Sequence, residues 1–195
     1  MFTKEFEKVT VHFGPLIIWI GLILMIFLIQ LVRSINLESK FKKVSNSLMD
    51  GKYNDIIEVG KRLLYSYQKY NKRLSTAAII SKIEYLNFAL AISHFAMNND
   101  EEFLKHINDL TQNHDIKEFW LALYYLQKED FENAEEHYAK ISITEEPSTN
   151  ITYLDSIKLY KQGECDSAKA KVTEIYGNLK HVVLKQIADE VLKSE

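Results

Sequence analysis

The sequence predicts an all-α protein, with one N-terminal membrane span, a single domain of stacked helical hairpins and a closing C-terminal helix. Three observations carry this. Phe13 to Val32, FGPLIIWIGLILMIFLIQLV, holds no charged residue, and about 20 residues of helix reach across roughly 30 Å of hydrocarbon. From Leu37 onward apolar residues return at helical spacing with turn residues between them, and nothing shows the sustained alternation of a half-buried strand. Along that stretch one short unit recurs: a turn followed by an aromatic residue, a small or apolar residue three later, and more apolar residues at helical intervals. The chain divides accordingly into a tail (1–12), a span (13–33), helical repeats (34–176) and a closing helix (177–195).

Composition narrows the function classes. The 195 residues suit one short anchor plus one domain large enough to bury a core without metal or disulfide staples. The net charge is −3, and the part beyond the anchor stays mildly acidic. That argues against nucleic-acid binding, which needs a basic stripe to displace phosphate counterions. The single cysteine, Cys165, cannot form an intramolecular bridge and suits a reducing compartment. Heavy use of Lys, Ile, Asn and Tyr points to a bacterial chain.

The anchor reads as retained. Its apolar run stays bulky through Leu31 and Val32 and ends at Arg33-Ser34, with no small-residue cleavage signal. Gly14 and Gly21 lack the spacing that brings two membrane helices into close contact. Lys4, Lys8 and the free amine precede the span, whereas Arg33, Lys40, Lys42 and Lys43 follow it. The positive-inside rule therefore favours a cytoplasmic domain behind a single-pass anchor, the opposite topology staying open.

Within the domain the clearest repeat unit is WLALYYLQKEDFENAEEHYAKI, Trp120 to Ile141. Leu121, Ala122 and Tyr125 occupy its first helix, Phe131 follows the turn, Ala134 is the small residue, and Tyr138 and Ile141 complete the second helix. The next copy has Leu159, Tyr160, Gly163 at the turn, Ala168 34 residues after Ala134, then Val172 and Ile175. An earlier copy places Leu90, Ala91, Ile107 and Leu110 correctly but has Phe103 at the small position, 31 residues before Ala134. The first, around Gly51, Tyr53, Ile56, Gly60 and Leu63, is the most divergent. These units resemble the tetratricopeptide repeat, and the resemblance implies paired antiparallel helices with a small residue of the second helix at the crossing, stacked into a superhelix.

Boundary signals fit helices of that length. Asp115 with Glu118 reads as a capping box, Asp130 as the cap of the helix carrying Ala134, and Pro147-Ser148-Thr149 as a stop and restart. After Gly177-Asn178 an amphipathic helix from Leu179 to about Lys193 sets Val182, Val183, Ile187, Val191 and Leu192 along one side, the pattern of a solubilising cap on a stacked array.

The resemblance also implies a concave face lined by the first helix of each pair. In this register Phe88, Ile92 and Phe95, then Phe119, Leu123 and Leu126, then Tyr153, Ile157 and Tyr160 fall on it. All are aromatic or aliphatic, which suits an amphipathic helix or apolar segment of a protein partner. The same residues become core if the array closes on itself or its first or last helix fills the groove. A homo-oligomer buried through this face, or a lipid pocket, are further alternatives. The clamp for a partner's C-terminal carboxylate found in some members of the family is disfavoured, since apolar side chains stand where its Lys, Arg and Asn would be.

Chemistry-bearing patterns are sparse. His12, His94, His106, His114, His137 and His181 form no H-E-x-x-H, and Cys165 has no second cysteine or matched histidine, so no metal site and no cofactor are expected. His94 reads as a hydrogen-bonded structural residue, and Cys165 as a small substitute for the usual aromatic. No phosphate loop or nucleophile elbow is present. Asn150-Ile151-Thr152 fits the glycosylation triplet, which matters only in a secretory compartment. The acidic pairs Glu101-Glu102, Glu135-Glu136 and Asp189-Glu190 read as solvated faces. The expected role is a membrane-anchored, non-enzymatic scaffold that captures a protein partner.

Overall fold

A computed structural model describes residues 2–73, 75–142 and 149–194, with side chains from residue 18 onward. Nine α-helices account for most of the described residues, and no strand occurs among them. They are α1 (Phe2–Met49), α2 (Tyr53–Asn71), α3 (Ala77–Ala96), α4 (Asp100–Asn108), α5 (His114–Gln127), α6 (Phe131–Tyr138), α7 (Thr149–Lys161), α8 (Cys165–Ile175) and α9 (Val182–Lys193). A short 3₁₀ turn, Tyr176–Asn178, follows α8. Pro147 and Ser148 of the expected stop signal lie outside the described residues.

The chain forms two compact units, Met1–Lys42 and Lys43–Glu195. In the first, α1 carries the apolar run, and from Ile18 to Val32 the large side chains are exposed on every side, Trp19 by 65% and Phe27 by 61%. Thirteen such side chains in water would forfeit roughly 20 kcal/mol or more of burial. Helix α1 is long and apolar enough to cross a membrane. The helix continues unbroken through Met49.

In the second unit, α3 packs on α2 and α4, α5 on α6 and α7, and α8 on α7 and α9. Four tight turns repeat one backbone solution. Gly51, Asn98, Glu129 and Gly163 all adopt positive φ, at 69°, 54°, 59° and 87°. The next residue donates its N–H to a carbonyl five positions back: Lys52 to Ser47, Asn99 to His94, Asp130 to Tyr125 and Glu164 to Leu159, at 2.9 to 3.0 Å. This is a Schellman closure of the preceding helix. The same residue then starts the following helix, its carbonyl accepting from Ile56, Phe103, Ala134 or Ala168. Asn99 and Asp130 add side-chain caps to Glu102 and Asn133, both at 3.3 Å.

Those four acceptor-linked residues are all buried, Ile56, Phe103 and Ala168 fully and Ala134 at 3% exposure. Side-chain bonds repeat as well. Asn87 meets His106 at 3.1 Å and Glu118 meets His137 at 2.6 Å, each pair spanning 19 residues. Glu84 accepts from the Thr111 N–H and Asp115 from the Ser142 N–H, each spanning 27. The expected capping box at α5 is thus corrected. Asn113 is the N-cap, without a side-chain bond; Asp115 reaches forward to Ser142, and Glu118, 4% exposed, is drawn inward by His137.

Candidate functional site

The first helices of the hairpins place a continuous aromatic row on one face. Phe95 of α3 packs its ring 5.5 Å from Trp120 of α5, Phe88 lies 6.3 Å from the same indole, and Phe119 lies 6.2 Å from Tyr153 of α7. Trp120, which the register reading left off the face, is its hub, with Phe119 5.6 Å away on its own helix. Such edge-on pairs add stabilisation beyond area burial.

Of the nine residues expected on the concave face, Ile92, Leu123, Tyr153 and Ile157 are fully buried, and Phe119 and Leu126 are 3% exposed. Phe88, Phe95 and Tyr160 keep partial exposure. Leu126 does not share the aromatic row's surroundings: it lines a separate cleft of about 290 Å³ with Ala134, Tyr138 and Leu154.

The chain itself covers the face. Residues 177–184 leave α8 and run across α7, α5, α3 and the start of α2. Tyr153 donates its hydroxyl to the Leu184 carbonyl at 2.9 Å. His181 stacks edge-on against Phe88 and Trp120, at 5.6 and 5.9 Å. The Val183 backbone hydrogen-bonds to the Tyr53 hydroxyl. A Cβ at Gly51 would come within 3.1 Å of Val182 Cγ1, so the glycine serves both the turn and this close approach. Leu179, Val183 and Leu184 are each 5% exposed, and burying each contributes about 1.5–3 kcal/mol.

Helix α9 begins at Val182, not Leu179. Its buried set is Val183, Leu184, Ala188 and Val191; Leu192, expected on that side, is 36% exposed. The pattern shifts because the helix is held at two places, by α8 along its length and by the aromatic face at its start.

A cleft of about 710 Å³ remains beside the covered row, walled by Phe88, Ile116, Phe119 and Trp120 on one side and Gly177 to His181 with Leu184 on the other. Burial lowers the pKa of His181, with a smaller push from Lys180 in the same direction, so the imidazole facing this cleft is neutral at pH 7. Burial also drives the Tyr153 phenol far above its ordinary value. The cleft combines apolar walls with the polar side chains of Thr149, Asn150, Asn178, Lys180 and His181.

Cys165 opens α8 at the position held by Tyr53 and Phe131 in their hairpins. Glu102, read from sequence as solvated, is instead held by Lys61 and Lys105 at 3.2 and 3.1 Å.

No family model, no curated protein and no solved structure matches this chain.

Proposed function

We propose that this chain is a single-pass membrane protein whose divergent tetratricopeptide-like domain holds a protein partner beside the membrane and catalyses nothing. The repeated Schellman turns and the burial of Ala134 and Ala168 shortly after them support the repeat reading. The basic flank behind the span favours a cytoplasmic domain.

One observation carries the binding role: the chain's own residues 177–184 lie across the aromatic row as a bound apolar segment would, fixed by Leu184 and His181. A face built to accept such a segment is a peptide-recognition surface. The partner then uses the cleft left open beside Phe88, Ile116 and Trp120, and the C-terminal helix completes the site rather than merely capping the array. Anchoring raises the local concentration of a membrane-proximal partner.

Site-specific photo-crosslinking in native membranes tests this. A crosslinker at Ile116, 41% exposed at the mouth of the cleft, should trap one discrete protein, whereas one at Tyr65, 69% exposed on α2, should not. Identical adduct patterns at both positions would refute the cleft as the binding surface. An adduct of twice the protomer mass would assign the surface to self-association, the alternative reading. On that face Phe88 is partly exposed, whereas Leu123 is fully buried.

A further inference from the structure

The turn from α3 to α4 gathers three groups that the aromatic face does not use. His94 sits in the last turn of α3, and Glu102 and His106 stand one helical turn apart on α4, on the same side of that helix. The two imidazoles are parallel within 7°, their centroids 5.8 Å apart. His94 Nε2 lies 3.8 Å and His106 Nε2 lies 3.5 Å from Glu102 Oε2. One ligand atom from each of the three residues falls within 4.8 Å of the others.

Both histidines are more than nine-tenths buried, at 3% and 4% exposure, and neither Nε2 has a hydrogen-bond partner. Native interiors satisfy buried polar atoms, so two unpartnered ring nitrogens aimed at one carboxylate oxygen need an occupant. The tautomer is already set for one. His106 Nδ1 faces the Asn87 amide oxygen at 3.1 Å; that oxygen only accepts, so Nδ1 carries the proton and Nε2 presents its lone pair. This is the outer-shell bond that orients metal-bound imidazoles.

We infer that His94 Nε2, Glu102 Oε2 and His106 Nε2 form a binding site for a divalent transition-metal ion of the zinc class, clamping α3 to α4. Two imidazoles and one carboxylate are a common donor set for that ion and leave a fourth position open. Around a tetrahedral ion with bonds of about 2.0–2.1 Å, ligand atoms stand roughly 3.3 Å apart, so the carboxylate contacts need to close only slightly.

Lys61 is the competing cation. Its ammonium rests 3.2 Å from the same Oε2, on a side chain 46% exposed, and must swing into solvent when the ion enters. Lys105 stays on the other oxygen, at 3.1 Å. Removing the Lys61 charge should therefore tighten the site several-fold.

Full-length protein, purified in detergent without a polyhistidine tag and stripped with chelator, is titrated with Zn²⁺ by calorimetry and with Co²⁺ by visible absorption. One equivalent should bind, raising the thermal midpoint and giving the d–d bands of a low-coordinate site. Glu102→Gln and His106→Gln should abolish saturation, His114→Gln at an exposed histidine should leave it intact, and Lys61→Gln should strengthen it. Absence of saturable binding by the unmodified protein would overturn the site, as would one-equivalent binding that survives Glu102→Gln. Should His106→Gln fail to fold, Glu102→Gln and Lys61→Gln, on side chains 26% and 46% exposed, decide the matter.

Discussion

At the scale of single residues, the four hairpin turns make a paired prediction. Gly163 has φ of 87° with nothing within 4 Å of where a Cβ would stand, while Glu129 adopts φ of 59° with a full side chain. Left-handed backbone costs an L-residue about 1–2 kcal/mol. Gly163→Ala should therefore destabilise by about 1 kcal/mol without any clash, and Glu129→Gly should stabilise by roughly 0.5–1 kcal/mol. Urea unfolding of both variants reads the opposite signs. A second residue, His181, sets a pH dependence. Burial holds its pKa below the ordinary 6.5, so the folded state favours neutral imidazole. Its contribution is complete above about pH 6.5 and lost as pH falls toward the lowered folded value. The unfolding midpoint should fall as the pH is lowered from about 6.5, and His181→Phe, which keeps the ring against Phe88 and Trp120, should make that fall shallower.

At the scale of elements, the last helix is where periodicity and packing part company. An amphipathic stripe through Val182, Val183, Ile187, Val191 and Leu192 is legible in the sequence, but Leu184 and Ala188 are the buried members and Leu192 is 36% exposed. A stripe records which residues are apolar, whereas a helix held against two separate surfaces buries whichever residues face them. Leu184→Ala should cost about 2–4 kcal/mol of stability and Leu192→Ala less than about 1, as measured by denaturant unfolding. The same limit explains the α5 capping signal. Asp115 and Glu118 have the right spacing for a capping box, yet repeat contacts with Ser142 and His137 claim them first. Asp130, with no such competitor among its bonds, caps α6 as its position implies.

For the whole molecule, the apolar stretch of α1 is long enough to cross a bilayer, and the single cysteine permits a direct test of sidedness. Cys165 is partly exposed. In intact cells a membrane-impermeant maleimide should leave it unlabelled, and labelling should follow permeabilisation; equal labelling in both would place the domain outside. The sequence by itself determined what local chemistry controls: the uncharged span, the helical period, the turn at Gly163 and the small residues Ala134 and Ala168 that end up buried. Only the tertiary structure decided what fills the aromatic face, because that depends on partners such as Tyr153 with Leu184 and Tyr53 with Val183, which lie far apart along the chain. It also turned Leu126 into a different cleft and brought His94 to Glu102 and His106. Helical spacing fixes the direction of a side chain relative to its own axis. The packing angle between axes, which no local pattern encodes, decides what that side chain meets.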